Sequence, residues 1–93
     1  MRLPKYRPPS TPGQILKSQF LIPMNLTQVQ FAKMSGLSIR ALNEICTGKR
    51  AVTARTSIMI SNALGTTPEL WIDLQTAFDL WHEMQKFKNK KAG

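Results

Sequence analysis

The 93 residues hold thirteen Lys and Arg against five Asp and Glu, giving a net charge of +8 and a pI near 10.3. That length suits one small domain with a modest core. No apolar run approaches the roughly 20 residues of a membrane span, the opening MRLPKYRPPS lacks the apolar stretch of a secretory signal, and the single cysteine, Cys46, cannot close an internal disulfide, so a cytoplasmic protein away from the membrane is expected.

The chain opens with a basic arm, residues 1–11. Four of the six prolines (Pro4, Pro8, Pro9 and Pro12) keep it from forming a helix. It is expected to be flexible, with Lys5, Tyr6 and Arg7 free to touch phosphate or a protein partner. Thr11 then caps a first helix that starts at Pro12, a position where proline's fixed φ costs nothing. Ile15, Leu16, Phe20 and Leu21 supply its inward face, and Pro23 stops it.

A second helix follows Thr27, which with Gln30 forms a capping box. Phe31 and Met34 are spaced to point inward, and small Ala32 admits a close crossing. Gly36 stands where a left-handed cap is needed, and Leu37 returns to the core. Ser38 caps a third helix from about Ile39 to Cys46. Leu42 and Ile45 form its inner side and Gly48 closes it. The other side carries Ser38, Ile39, Arg40, Asn43, Glu44 and Thr47, with Lys49 and Arg50 in the loop beyond. Two short helices about a glycine turn, with a polar outer side on the second, fit a helix laid in a DNA major groove. The competing account is a helical hairpin buried in a bundle.

A fourth helix starts after Thr53, with Ile58, Met59, Ile60 and Leu64 providing contacts and Gly65 ending it. Thr67, Pro68 and Glu69 open a fifth, with an acid at the positive end of the helix dipole. Along it Leu70, Leu74, Ala77, Trp81 and Met84 recur at steps of four and three, widened by Trp71 and Phe78. This exceeds what one face of a small domain needs. The spacing therefore predicts a dimer interface containing Leu70, Trp71, Leu74, Phe78 and Trp81. The domain is expected to span residues 12–88, leaving 89–93 as a frayed basic tail. The fold class is an all-α, compact five-helix bundle with a helix-turn-helix and its C-terminal helix partly in a dimer interface.

Charge follows the same division. Residues 1–65 hold nine basic residues and one acid, Glu44, whereas residues 66–93 hold four of each. The excess positive charge thus accompanies the helix-turn-helix, as nucleic-acid binding requires. Enzyme chemistry has little to stand on. His82 is the one histidine, expected to face solvent, and no metal-ligand spacing or phosphate-cradling loop occurs, so neither catalysis, metal nor cofactor is expected.

Three segments carry a family resemblance. LTQVQFAKMSGLSIRALNEICTG resembles the helix-turn-helix of phage-repressor-like (XRE-type, lambda-repressor-like) regulators. PGQILKSQFLIPMNLTQ and LGTTPELWIDLQTAFDLW are similar to HigA antitoxins, so the match covers roughly residues 12–82. Ser35 departs from the apolar residue usual before the turn glycine. The resemblance implies an antitoxin that represses its own promoter and neutralises a HigB-like mRNA-cleaving toxin.

Side-chain chemistry assigns roles at the groove. Gln28 can donate to a phosphate, as the resemblance also implies. Arg40 suits guanine O6 and N7, Asn43 suits adenine N6 and N7, and Ile39 suits a thymine methyl. Ser38 and Thr47 suit phosphate or either base, and Lys49 and Arg50 suit phosphates. Glu44, four residues on from Arg40, can aim its guanidinium. A homodimer would read an inverted-repeat operator in double-stranded DNA. Two alternatives remain: a stand-alone repressor without a toxin, and a protein-interaction module that has lost DNA binding.

Overall fold

The computed structural model describes residues 8–92, with side chains as far as Asn89. The expectations for Lys5, Tyr6 and Arg7 lie outside that range. Among the described residues there are five helices and no strand.

The first helix, α1, is an α-helix over Pro12–Ile15 that continues as a π-helix over Leu16–Leu21. Thr11 and Gln14 cap it reciprocally, at 3.1 and 2.9 Å. The π-helical part was not expected from the sequence. Its wider turn closes through i to i+5 bonds, such as that from Ile22 N–H to the Lys17 carbonyl at 3.0 Å. Leu16 and Leu21, five residues apart, are both buried as a result.

Helix α2 spans Gln28–Ser35 and α3 spans Ile39–Cys46. The Thr27–Gln30 capping box is present, with bonds of 2.8 and 3.1 Å. Gly36 turns the chain at φ 82°, a conformation that costs a side chain dearly. One expectation fails here: Met34 is 49% exposed, not inward. Ser35 turns toward the interior instead. Its hydroxyl donates to the Phe31 carbonyl at 2.8 Å and accepts from Leu37 N–H at 3.2 Å. The serine that departs from the family pattern thus ties the helix end to the turn, and Leu37 enters the core beyond it.

Helix α4 spans Ala54–Leu64 and α5 spans Pro68–Ala92. Buried Ser57 and Ser61 return their hydroxyls to the Ala54 and Ile58 carbonyls, so neither is left unsatisfied. Ile58, expected inside, is half-exposed. At 25 residues α5 is about 37 Å long, and it runs past the boundary expected at residue 88, through most of the segment expected to fray.

The core joins Leu16 and Leu21 of α1, Phe31 of α2, Leu42 and Ile45 of α3, Ile60 of α4 and Trp71 of α5. This corrects the assignment of Trp71 to a dimer interface. The indole is 0% exposed within its own chain, sits 5.4 Å from the Phe20 ring, and donates its Nε1–H to Thr66 Oγ1 at 2.9 Å. Leu74 packs on the same core and Phe78 is also part-buried, each keeping some surface open. His82 does not face solvent either. Its ring lies 4.4 Å from Phe78 and 5.0 Å from Trp81, with Nε2 covered.

What α5 leaves outside is a different set. Leu80, Met84 and Phe87 are 48%, 54% and 71% exposed. With Leu70 they fall on alternating steps of three and four, as in a coiled-coil seam, through positions 70, 73, 77, 80, 84 and 87; Asp73 on that line is exposed, whereas Ala77 is buried within its own chain.

Candidate nucleic-acid interface

Helix α3 is seated by backbone contact. A Cβ at Gly13 would lie 1.8 Å from the Ile45 carbonyl oxygen, so the start of α1 lies directly against the end of α3. Only glycine permits that approach. Gly13 was not singled out in the sequence because nothing local marks it; it forms no turn, and the contact that requires it comes from more than thirty residues away.

With Leu42, Ile45 and Cys46 buried, the opposite side of α3 is outermost. Arg40 and Asn43 are both exposed, the Arg40 side chain by 86%. Ile39 beside them leaves its aliphatic chain in water. Ser38 caps the helix, its Oγ accepting from Ala41 N–H at 3.0 Å, which leaves its hydroxyl hydrogen to donate. Thr47 differs. Its hydroxyl donates to the Asn43 carbonyl at 2.9 Å, so toward DNA it keeps chiefly an acceptor.

Gln28 and Asn43 belong to one arrangement. Asn43 Nδ2 donates to Gln28 Oε1 at 3.2 Å, joining the first residue of α2 to the middle of α3. The bond uses one of Asn43's amide hydrogens. The other hydrogen and Oδ1 remain for the paired donor and acceptor of an adenine edge. Gln28 keeps its own amide hydrogens for a phosphate. The sequence suggested both residues but not their contact.

The loop after α3 departs further from expectation. Gly48 takes φ 78°, and the N–H groups of Lys49 and Arg50 both return to the Glu44 carbonyl, at 2.8 and 3.1 Å. That fold-back sets Arg50 beside the Glu44 side chain. Arg50 donates Nε and Nη2 to Glu44 Oε1 at 3.0 and 2.6 Å, whereas Arg40 Nε lies 4.0 Å from Glu44 Oε2. Glu44 therefore holds Arg50 first and Arg40 only loosely, the reverse of the emphasis expected. Arg50's hydrogen bonds, followed by the charges of Arg50, Arg40 and Lys49, hold the Glu44 carboxyl below its ordinary value against the opposing effect of burial. Lys49 is exposed.

Cys46, buried at the base of α3, has its thiol pushed up chiefly by desolvation, so it acts as an apolar filler. Among the described residues no group of His, Cys, Asp and Glu could hold a metal, and no helix is long and apolar enough to cross a membrane.

Known proteins share this architecture. A helix-turn-helix family profile matches residues 17–71. Antitoxin HigA-1 of Vibrio cholerae is 36% identical over 90 residues, covering 97% of this chain and 84% of that protein. An addiction module antidote protein of the HigA family from Coxiella burnetii superposes with a TM-score of 0.82 at 31% identity, over 90% of this chain and 91% of that one. A Pseudomonas aeruginosa protein solved in complex with its operator DNA superposes with a TM-score of 0.76 at 26% identity, over 82% and 81% of the two chains. With a capped helix pair turning on Gly36, a seated third helix and these relatives, the chain belongs to the HigA antitoxin family of helix-turn-helix proteins.

Proposed function

We propose that this chain is a sequence-specific DNA-binding antitoxin that represses its own promoter and neutralises a HigB-like toxin. The DNA part rests on the outward side of α3, where Arg40 and the Gln28-linked Asn43 are free to meet base edges. It is supported by the relative solved on its operator. The toxin part rests on kinship with Vibrio HigA-1.

The active form is a homodimer. One reading helix spans few base pairs, and a two-fold pair places two of them about 34 Å apart, one turn of duplex, over an inverted repeat. The surface best suited to pairing is the outer stripe of α5, where Leu70, Leu80, Met84 and Phe87 lie exposed on the three-four pattern.

A gel-shift on the DNA upstream of the chain's own gene, with co-expression of any small basic protein encoded beside it, tests both parts. A shift that survives excess unrelated duplex, together with rescued growth, is the expected result. No shift at low salt removes the DNA part. Failure to rescue growth removes the toxin part and leaves a stand-alone repressor.

A further inference from the structure

Glu44 is the sole acid among residues 1–65, and it lies within the α3 surface assigned to DNA. A carboxylate there repels every phosphate, so its place needs a reason. Its two oxygens are used differently. Oε1 takes both Arg50 bonds, at 3.0 and 2.6 Å, while Oε2 lies 4.0 Å from Arg40 Nε, beyond hydrogen-bond length.

We propose that Glu44 is a specificity-determining residue, which lowers affinity for DNA in general and recovers it at a cytosine in the operator. The proposal rests on the DNA-binding reading of α3 above.

Two effects act together. On arbitrary duplex, affinity comes almost wholly from cations replacing counterions along the phosphates. Glu44 removes Arg50 from that set, because the guanidinium is already held by two charge-assisted bonds. It also draws on Arg40's charge. The surface of α3 and its following loop then offers Arg40, Lys49 and Arg50 against one carboxylate rather than three unopposed cations. On the operator, Oε2 can accept the N4 amino hydrogen of a cytosine, the base edge a carboxylate fits in the major groove. At guanine and thymine Oε2 faces acceptor atoms and is repelled, and at adenine the N6 donor stands beside the N7 acceptor, which weakens the contact. Arg50 keeps the carboxylate aimed while this happens.

The test compares the full chain with Glu44→Gln, which keeps the shape and removes the charge. Binding to the upstream DNA and to an unrelated duplex is measured across a salt series, with thermal melting as a check on folding. The variant is expected to bind unrelated duplex severalfold to about tenfold more tightly, with a salt slope steeper by about one. Its preference for the upstream site falls, and the loss maps to one C·G pair when the site is scanned base by base. Glu44→Ala should behave alike on unrelated duplex, which covers any residual hydrogen bonding by the glutamine.

Equal weakening on both DNAs would mean that Glu44 only positions Arg50, and would overturn the proposal, as would unchanged affinity for unrelated duplex. A wild-type chain that binds no duplex at any salt would remove the DNA-binding reading itself, and this inference with it.

Discussion

Helices α3 and α5 face the same situation with opposite chemistry. Each buries one side against a common core, Leu42 and Ile45 from α3 and Trp71 from α5, and each leaves the other side open. The open side of α3 carries a guanidinium, an amide, a carboxylate and hydroxyls, several already oriented by bonds to neighbours. The open side of α5 carries Leu80, Met84 and Phe87. Polar groups lose little in water and gain specificity at a base edge, whereas large apolar groups in water forgo roughly 1.5–3 kcal/mol each until something covers them. On the reading proposed above, the first surface meets nucleic acid and the second meets another copy of the chain.

The two sides of α5 give the strongest way to break that comparison. Trp71→Ala empties the core and should cost about 3–5 kcal/mol, read as a large fall in melting temperature that does not depend on protein concentration. Leu80→Glu combined with Met84→Glu should leave the monomer folded. Sedimentation should then show a dimer turned to monomer, with operator affinity falling because two half-sites no longer bind together. A monomeric wild-type chain at micromolar concentration would refute the pairing role of that stripe.

Within α3 the expected effects are smaller and sharper. Arg40→Ala should weaken operator binding by about 1–3 kcal/mol and relax preference at one base position. Lys49→Ala should weaken binding to all duplexes alike and flatten the salt slope by about one. If the two variants proved indistinguishable, base reading and phosphate anchoring would not be divided between helix and loop.

The smallest effect concerns Glu44 and pH. Its pKa is lowered in the folded chain, mainly by Arg50. The pair's contribution is therefore complete above the unfolded pKa and is lost as pH falls through the lower, folded one. An NMR titration of Glu44 should give a midpoint below the ordinary glutamate value, and Arg50→Ala should move it upward.

Much of the fold was legible because helix ends are local events. Thr11, Thr27, Ser38 and Thr53 each announce a helix start through their own hydroxyl, and Gly36, Gly48 and Gly65 each mark positive φ at a close. What escaped depends on partners distant in sequence. The five-residue step from Leu16 to Leu21 looks like imperfect helical periodicity until the turn is known to be π-helical. Met34 and Ser35 are adjacent, so a small rotation of α2 decides which goes inside, and two good bonds favoured the serine. Trp71 was assigned by helical spacing, which finds a stripe but not which neighbour covers it. At the site, residue types along α3 gave the polar side, while the Gln28–Asn43 bond spans 15 positions and the Glu44–Arg50 pair needs the fold-back after Gly48.

The central claim is that the outer side of α3 meets duplex DNA. Backbone amide shifts, followed by NMR as the upstream duplex is titrated into the labelled chain, test it most directly. The account predicts the largest changes at Gln28 and between residues 38 and 50, with little along positions 80–87 of α5. Changes concentrated on α5, or none around Arg40 and Asn43, would contradict it.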